Sequence, residues 1–196
     1  MRVKICGITN LSDAMHAIKS GADALGFVFY LQSPRYISPE DARAIIDQLP
    51  PFVEKVGLFV EEDRETIESV AGVSGITLAQ LHWDVDEKFV DSIDFPTLPV
   101  VRAQKPEDIE RFEGRYRLVD AYVDTYGGEG KRLALEWFDG RDNAYIILAG
   151  GLDADNVAQS VKYGFFGVDV SSGVEADKGR KDAQKVERFI AYAKGL

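Results

Sequence analysis

Several side chains able to do acid–base or anion chemistry stand at the ends of short apolar runs in this chain. Cys6 closes the run Val3–Cys6, Gln80 and His82 close Ile76–His82, Asp120 lies near the end of Arg117–Ala121, and Asp169 near the end of Gly167–Val170. If each run is a β-strand, alternation puts Lys4 and Cys6 on one face and Val3 and Ile5 on the other. By the same rule Gln80 pairs with His82, Leu118 with Asp120, and Gly167 with Asp169. A thiol titrates near about 8.5, so Cys6 could act as a base near neutrality only if its surroundings deprotonate it. A carboxyl such as Asp120 could act as the matching acid, or merely anchor the turn that follows it. Lys4, one layer deeper, is expected to pair with an acidic neighbour. His16 falls on a helical segment and is expected to pack or face solvent. Two further runs end in glycine-rich turns, Ala149-Gly150-Gly151 and Val170-Ser171-Ser172-Gly173. Glycines let backbone N–H groups approach a phosphate, and serine hydroxyls add donors. A third cluster, Tyr126-Gly127-Gly128-Glu129-Gly130-Lys131, lacks Walker spacing and reads as a mobile lid.

The elements that must hold these groups alternate in type. Eight apolar runs read as strands: the four above, plus Leu25–Tyr30, Val53–Val60, Leu98–Arg102 and Tyr145–Ala149. Between them lie helical patterns such as Leu11, Ala14, Met15 and Ile18, and Ala42, Ile45, Ile46 and Leu49. Ser38-Pro39-Glu40-Asp41 opens one helix with a cap and a proline. Helices one and seven are expected to end at Gly21 and Gly164, and the fourth and sixth patterns are the weakest. Eight units in 196 residues demand parallel pairing with right-handed crossovers. They fit a closed (β/α)8 barrel, although such barrels run to roughly 250 residues. An open doubly wound sheet is the alternative, but the turn after strand one reads Cys6-Gly7-Ile8-Thr9-Asn10 and carries no G-x-G-x-x-G. In a barrel the inward strand ends converge on one mouth, and loops seven and eight commonly hold a phosphate.

Composition bounds the class. With 45% hydrophobic and 29% charged residues, the chain is expected to be one globular domain over 1–196 rather than a disordered, fibrous or disulfide-framed protein. The formal charge of -10 repels polyanions, so no nucleic-acid partner is expected. One cysteine and the absence of an apolar run of membrane length fit a cytoplasmic protein without a membrane partner. Monomer and homodimer both remain open.

Taken together the residues resemble the phosphoribosylanthranilate isomerase family. The resemblance rests on Lys4-Ile5-Cys6-Gly7-Ile8-Thr9, on Gly26-Phe27-Val28-Phe29, on Ser33-Pro34-Arg35-Tyr36-Ile37, on Gln80-Leu81-His82, and on Asp169-Val170-Ser171-Ser172-Gly173-Val174-Glu175. It implies an Amadori rearrangement of N-(5-phosphoribosyl)anthranilate to 1-(2-carboxyphenylamino)-1-deoxyribulose 5-phosphate, with neither metal nor other cofactor. It implies Asp120 as general acid, Cys6 as general base, and Arg35 beside the anthranilate carboxylate. Gln80, His82 and Asp169 would contact the substrate, and Gly150, Gly151, Ser171, Ser172 and Gly173 would hold its phosphate. Two departures stand out. Trp83 follows Gln-Leu-His where the family commonly has glycine, and the run Arg132–Trp137 lengthens the lid. Asp124 is a second acid in that segment. Rival readings are another phosphosugar barrel, such as an epimerase or aldolase, and a ligand-binding barrel without activity. Against the first, the chain has only two histidines, His16 and His82. Loss of phosphoribosylanthranilate fluorescence on adding the protein would separate the three.

Overall fold

The computed structural model describes residues 1–121 and 132–196. Eight parallel strands close into a barrel in sequence order: β1 (Arg2–Ile5), β2 (Ala24–Val28), β3 (Glu54–Phe59), β4 (Leu78–Leu81), β5 (Thr97–Ala103), β6 (Arg117–Ala121), β7 (Ile146–Leu148) and β8 (Gly167–Val170). Closure is made by β8 on β1, where Arg2 pairs with Gly167 and Lys4 with Asp169. The expected strands match in number and order, with no end shifted by more than two residues.

The outer layer is thinner than eight helices. The described residues form five α-helices: α1 (Leu11–Lys19), α2 (Pro39–Ile46), α3 (Arg64–Ser74), α4 (Glu87–Ser92) and α5 (Ala183–Lys194). Among the described residues, the crossovers after β5, β6 and β7 instead carry 3-10 turns, Pro106–Glu110, Leu135–Phe138 and Val157–Tyr163. The pattern pointed to four and six as the weak helices; the structure keeps four as a short α-helix and forms 3-10 turns at five, six and seven. A 3-10 turn rises further per residue than an α-helix, so it covers a strand with fewer residues. This is how a full barrel fits a short chain. Each α-helix has a side-chain cap, Asn10, Ser38, Asp63, Asp86 and Asp182 in turn. At α2 the hydroxyl of Ser38 accepts from the Asp41 N–H and donates to the Asp41 carboxylate. Gly164 ends its turn in the left-handed region.

Alternation along the strands sorts two cores. Val3, Ile5, Leu25, Phe27, Leu81, Val101, Val119 and Val168 face outward beneath the helices and are almost wholly buried. Leu98, Val100, Leu118 and Ala149 fill the barrel interior. The same parity carries Lys4, Cys6, Gln80, His82, Arg102, Asp120 and Asp169 up the inside to the C-terminal mouth. One element was unforeseen: a hairpin of β9 (Glu175–Asp177) and β10 (Arg180–Lys181), inserted between β8 and α5.

Candidate active site

Cys6 sits one residue beyond β1, buried, beside a gap that glycine makes. A Cβ on Gly26 of β2 would lie 2.7 Å from the Cys6 sulfur and 3.1 Å from Lys4 Cε. Lys4 donates to Asp169 Oδ1 at 2.8 Å, which is the acidic partner its position called for. Burial opposes the charge on Lys4, but Asp169 and Cys6 outweigh it and hold the ammonium above its ordinary range. Burial pushes the Cys6 thiol up and Asp169 adds to that, while Lys4 and Lys181 pull it down. The resting group is therefore a thiol surrounded by cations.

Across the mouth, Asp120 stands in register beside Arg102 on β5. Burial, reinforced by the Asp169 carboxylate, pushes Asp120 up to about 7. An acid with that value is protonated in about half of the molecules at neutral pH and so can serve as a general acid there. His82 Nε2 lies 3.8 Å from Asp120 Oδ2, too far for a hydrogen bond. Burial, then repulsion from Arg102 and Lys4, lowers His82 to about 3, so the imidazole is neutral. Its Nδ1 is 3.1 Å from Gln80 Nε2. Gln80 is fully buried, and its Oε1 has no hydrogen-bond partner among the described residues.

The turns after β7 and β8 are packed together. Gly150 and Gly151 both have positive φ, +87° and +59°. A single residue, Ser171, separates the end of β8 from a 3-10 turn, Ser172–Val174. A Cβ on Gly173 would overlap the Leu152 carbonyl oxygen. Ser171 has a buried hydroxyl without a partner among the described residues, and it points toward Gly7 at the turn after β1. Arg35 is neither solvated nor at the surface. It is buried, and its Nε and Nη2 donate to the two carboxylate oxygens of Glu175, each at 2.8 Å. The expected sites Cys6, Arg35, Gln80, His82, Asp120, Asp169 and both glycine turns thus converge on one end of the barrel.

Residue reasoning passed over three groups there. Arg102 shares the inward face of β5 with Leu98 and Val100, and alternation would have found it. Glu175 and Lys181 lie on the unforeseen hairpin, where no periodicity announces them. Trp83 packs edge-on against Phe89 of α4 at 5.6 Å, so the departure from glycine serves packing. Arg132 to Trp137 likewise turn back to the barrel wall: Leu133 is buried and Arg132 reaches Gln159 at 3.3 Å. Asp124 and the Tyr126–Lys131 cluster lie outside the described residues. His16, on α1, is 3.0 Å from the Ala183 carbonyl and packs against α5, as expected. Among the described residues, no group of three or more His, Cys, Asp and Glu could hold a metal ion.

Comparison with known proteins gives one answer. The family model for N-(5'phosphoribosyl)anthranilate isomerase matches residues 3–192. A relative of the same name from Sulfurovum sp. is 68% identical over 196 residues, covering 100% of both chains. A crystal structure of phosphoribosyl anthranilate isomerase in complex with reduced 1-(o-carboxyphenylamino)-1-deoxyribulose 5-phosphate superposes with a TM-score of 0.86 at 43% identity over 100% of both chains. Crystallised monomers of the dimeric enzyme from Thermotoga maritima give a TM-score of 0.87 at 40% identity, again over 100% of both chains. The chain belongs to the phosphoribosylanthranilate isomerase family, which carries out the isomerase step of tryptophan biosynthesis.

Proposed function

We propose that Asp120 and Cys6 are the acid and base of the Amadori rearrangement that this isomerase catalyses. Asp120 gives its proton to the ring oxygen, and the C1′–O bond breaks as the nitrogen lone pair forms a C1′=N bond. Cys6 takes the C2′ proton, and the freed electron pair closes C1′=C2′ and neutralises the nitrogen. The resulting enolamine gains a proton at C1′ and loses one from the C2′ hydroxyl, which leaves the ketone. The observation that carries this reading is the raised Asp120, able to carry a proton near neutrality, at the same mouth as a thiol flanked by Lys4 and Lys181. The turns at Gly150–Gly151 and Ser171–Gly173 hold the phosphate, and Asp169, kept in place by Lys4, faces the substrate's amine or hydroxyls. Gln80 orients neutral His82 beside the sugar. The whole of residues 1–196 works as one catalytic domain, and the biosynthetic family supports a cytoplasmic location.

Arg35 takes the anthranilate carboxylate. In a chain of charge -10 the aromatic carboxylate needs a cation beside it. Arg35→Met keeps the stem and removes the fork, and should cost about 1.5–3 kcal/mol of substrate binding. Affinities for ligands with and without the ortho carboxylate test it. Wild type should prefer the carboxylated ligand and the methionine variant should hardly distinguish them; a variant that keeps the full preference refutes the role.

Assembly as a homodimer is favoured by the opposite end of the barrel. Phe52, just before β3, is fully exposed with a left-handed φ of +66°. It borders a cavity of ≈ 750 Å³ lined by Val53, Val56, Leu78, Leu98 and Phe166. Exposed Tyr116, Tyr145 and Phe166 form a ring cluster at the same end, with centroids 5.1 and 4.6 Å apart. The hole is mainly apolar, although Arg2, Lys4, Asp23, Glu54 and Lys55 also line it, and a protruding apolar side chain beside such a hole is self-complementary under a two-fold axis. Sedimentation of the wild type at micromolar concentration should give twice 21.7 kDa, and Phe52→Lys should give the single mass. A wild type that stays monomeric at high concentration would sink this assignment.

A further inference from the structure

The Glu175 carboxylate accepts four hydrogen bonds in the interior. It accepts from Arg35 Nε and Nη2 at 2.8 Å each, from Lys181 Nζ at 2.9 Å, and from the Gly179 N–H at 3.3 Å. All three charged side chains are buried. Burial works against the Glu175 charge, but the Arg35 hydrogen bonds and Lys181 outweigh it and hold the carboxyl below its usual range. The hairpin that carries Glu175 and Lys181 is clasped to the first loop: Thr9 donates to the Gly179 carbonyl at 2.6 Å, and the Lys181 N–H donates to Asp13 at 2.8 Å. Lys181 also reaches the Ser171 carbonyl at 3.3 Å, at the end of β8.

A guanidinium has five N–H donors in one plane. Glu175 takes the edge formed by Nε and Nη2, which leaves the Nη1/Nη2 edge for a second planar carboxylate. We infer that Glu175 is the positioning residue for Arg35, turning that second edge to the substrate's aromatic carboxylate, and that its single negative charge against Arg35 and Lys181 leaves one net positive charge beside Cys6. The inference rests on the proposed roles of Arg35 and Cys6. The other charges facing Cys6 are Lys4, on its own strand, and Asp169 on β8, which pair with each other and cancel. The triad is thus the uncompensated charge near the thiol, and changing its members changes the field there in opposite senses. This is the cation that an emerging thiolate needs in a site where burial disfavours it.

The test compares Glu175→Gln, Glu175→Asp and Lys181→Met in the full chain, each checked for folding by thermal melting. Glutamine keeps the volume but turns an amide NH2 toward the guanidinium, donor against donor. The first readout is the preference for reduced 1-(2-carboxyphenylamino)-1-deoxyribulose 5-phosphate over its phenylamino counterpart without the carboxylate. Glu175→Gln should lose about tenfold or more of that preference, the worth of a misaligned charge-assisted pair, and Glu175→Asp should recover part of it. The second readout is the pH dependence of Cys6 alkylation by iodoacetamide. Glu175→Gln adds net positive charge and should move the profile to lower pH; Lys181→Met removes it and should move the profile higher. A hairpin that only braces the fold would shift neither. If Glu175→Gln does not fold, the upward shift in Lys181→Met still decides the electrostatic half. Unmoved profiles in Lys181→Met and in any folded Glu175 variant, with the preference intact, overturn the inference. Loss of preference in Arg35→Met but not in Glu175→Gln overturns the positioning role alone, whereas preference retained in Arg35→Met overturns the Arg35 reading beneath it.

Discussion

Asp120→Asn should reduce kcat by about 10² or more and, at the same time, make the protein more stable above pH 7. The stability half follows from the raised carboxyl. Below about pH 4 Asp120 is neutral in both folded and unfolded chains and contributes nothing. Between there and about 7 the unfolded chain has released the proton that the folded protein keeps, so stability falls as pH rises, and it levels off above the folded value. The gap corresponds to at most about 4 kcal/mol, which the wild type loses and the asparagine variant does not. Thermal melts at pH 5 and pH 8 measure it: the variant's advantage should grow with pH, and an equal difference at both values would refute the raised carboxyl. Cys6→Ala should lower kcat to a similar degree without that gain. The protonation states also fix the pH profile. The productive form has Asp120 protonated and Cys6 ionised, which is the reverse of what the Asp120 value and the upward shift of Cys6 favour. Activity should therefore rise up to about 7, where Asp120 titrates, hold level, and fall only where Cys6 itself ionises. Should Asp120→Asn stay active while Asp124→Asn is dead, the acid is Asp124.

The second large effect is expected from one methyl group at Gly173. A Cβ there would overlap the Leu152 carbonyl oxygen and stand 2.9 Å from its carbon and 3.2 Å from Asp153 Cα. Every one of these atoms is backbone, so no side chain can swing aside, and the turns after β7 and β8 must separate. Those are the turns assigned to the phosphate. Gly173→Ala should cost about 3 kcal/mol of stability or more, and should raise KM at least about tenfold while inhibition by inorganic phosphate disappears. Gly72 in α3 is the control, because a Cβ there meets nothing within 4 Å. Gly72→Ala should stabilise by about 1 kcal/mol through helix propensity alone and leave KM unchanged. Wild-type phosphate inhibition in Gly173→Ala would show that the phosphate is held elsewhere.

Strand periodicity by itself determined more of this protein than helix periodicity did. Alternation along Val3–Cys6, Ile76–His82, Arg117–Ala121 and Gly167–Val170 set which side chains point into the barrel. Parity is a local property of extended backbone, so Cys6, His82, Asp120 and Asp169 could be placed at the mouth from their own neighbours. The glycine turns were legible for the same reason. The crossovers were less so, since an α-helix and a 3-10 turn use similar residues and differ in how far apart their strands lie. That separation belongs to the closed barrel and not to any one segment. What only the tertiary structure decided was pairing. Arg35 and Glu175 are 140 positions apart and Lys4 and Asp169 are 165 apart. Nothing in either local sequence specifies its partner, because a salt bridge across a barrel depends on closure bringing the last strand beside the first. The values that make the chemistry possible share that origin. Asp120 is raised by burial under neighbouring elements and by a carboxylate from β8, and the sequence around Asp120 contains neither.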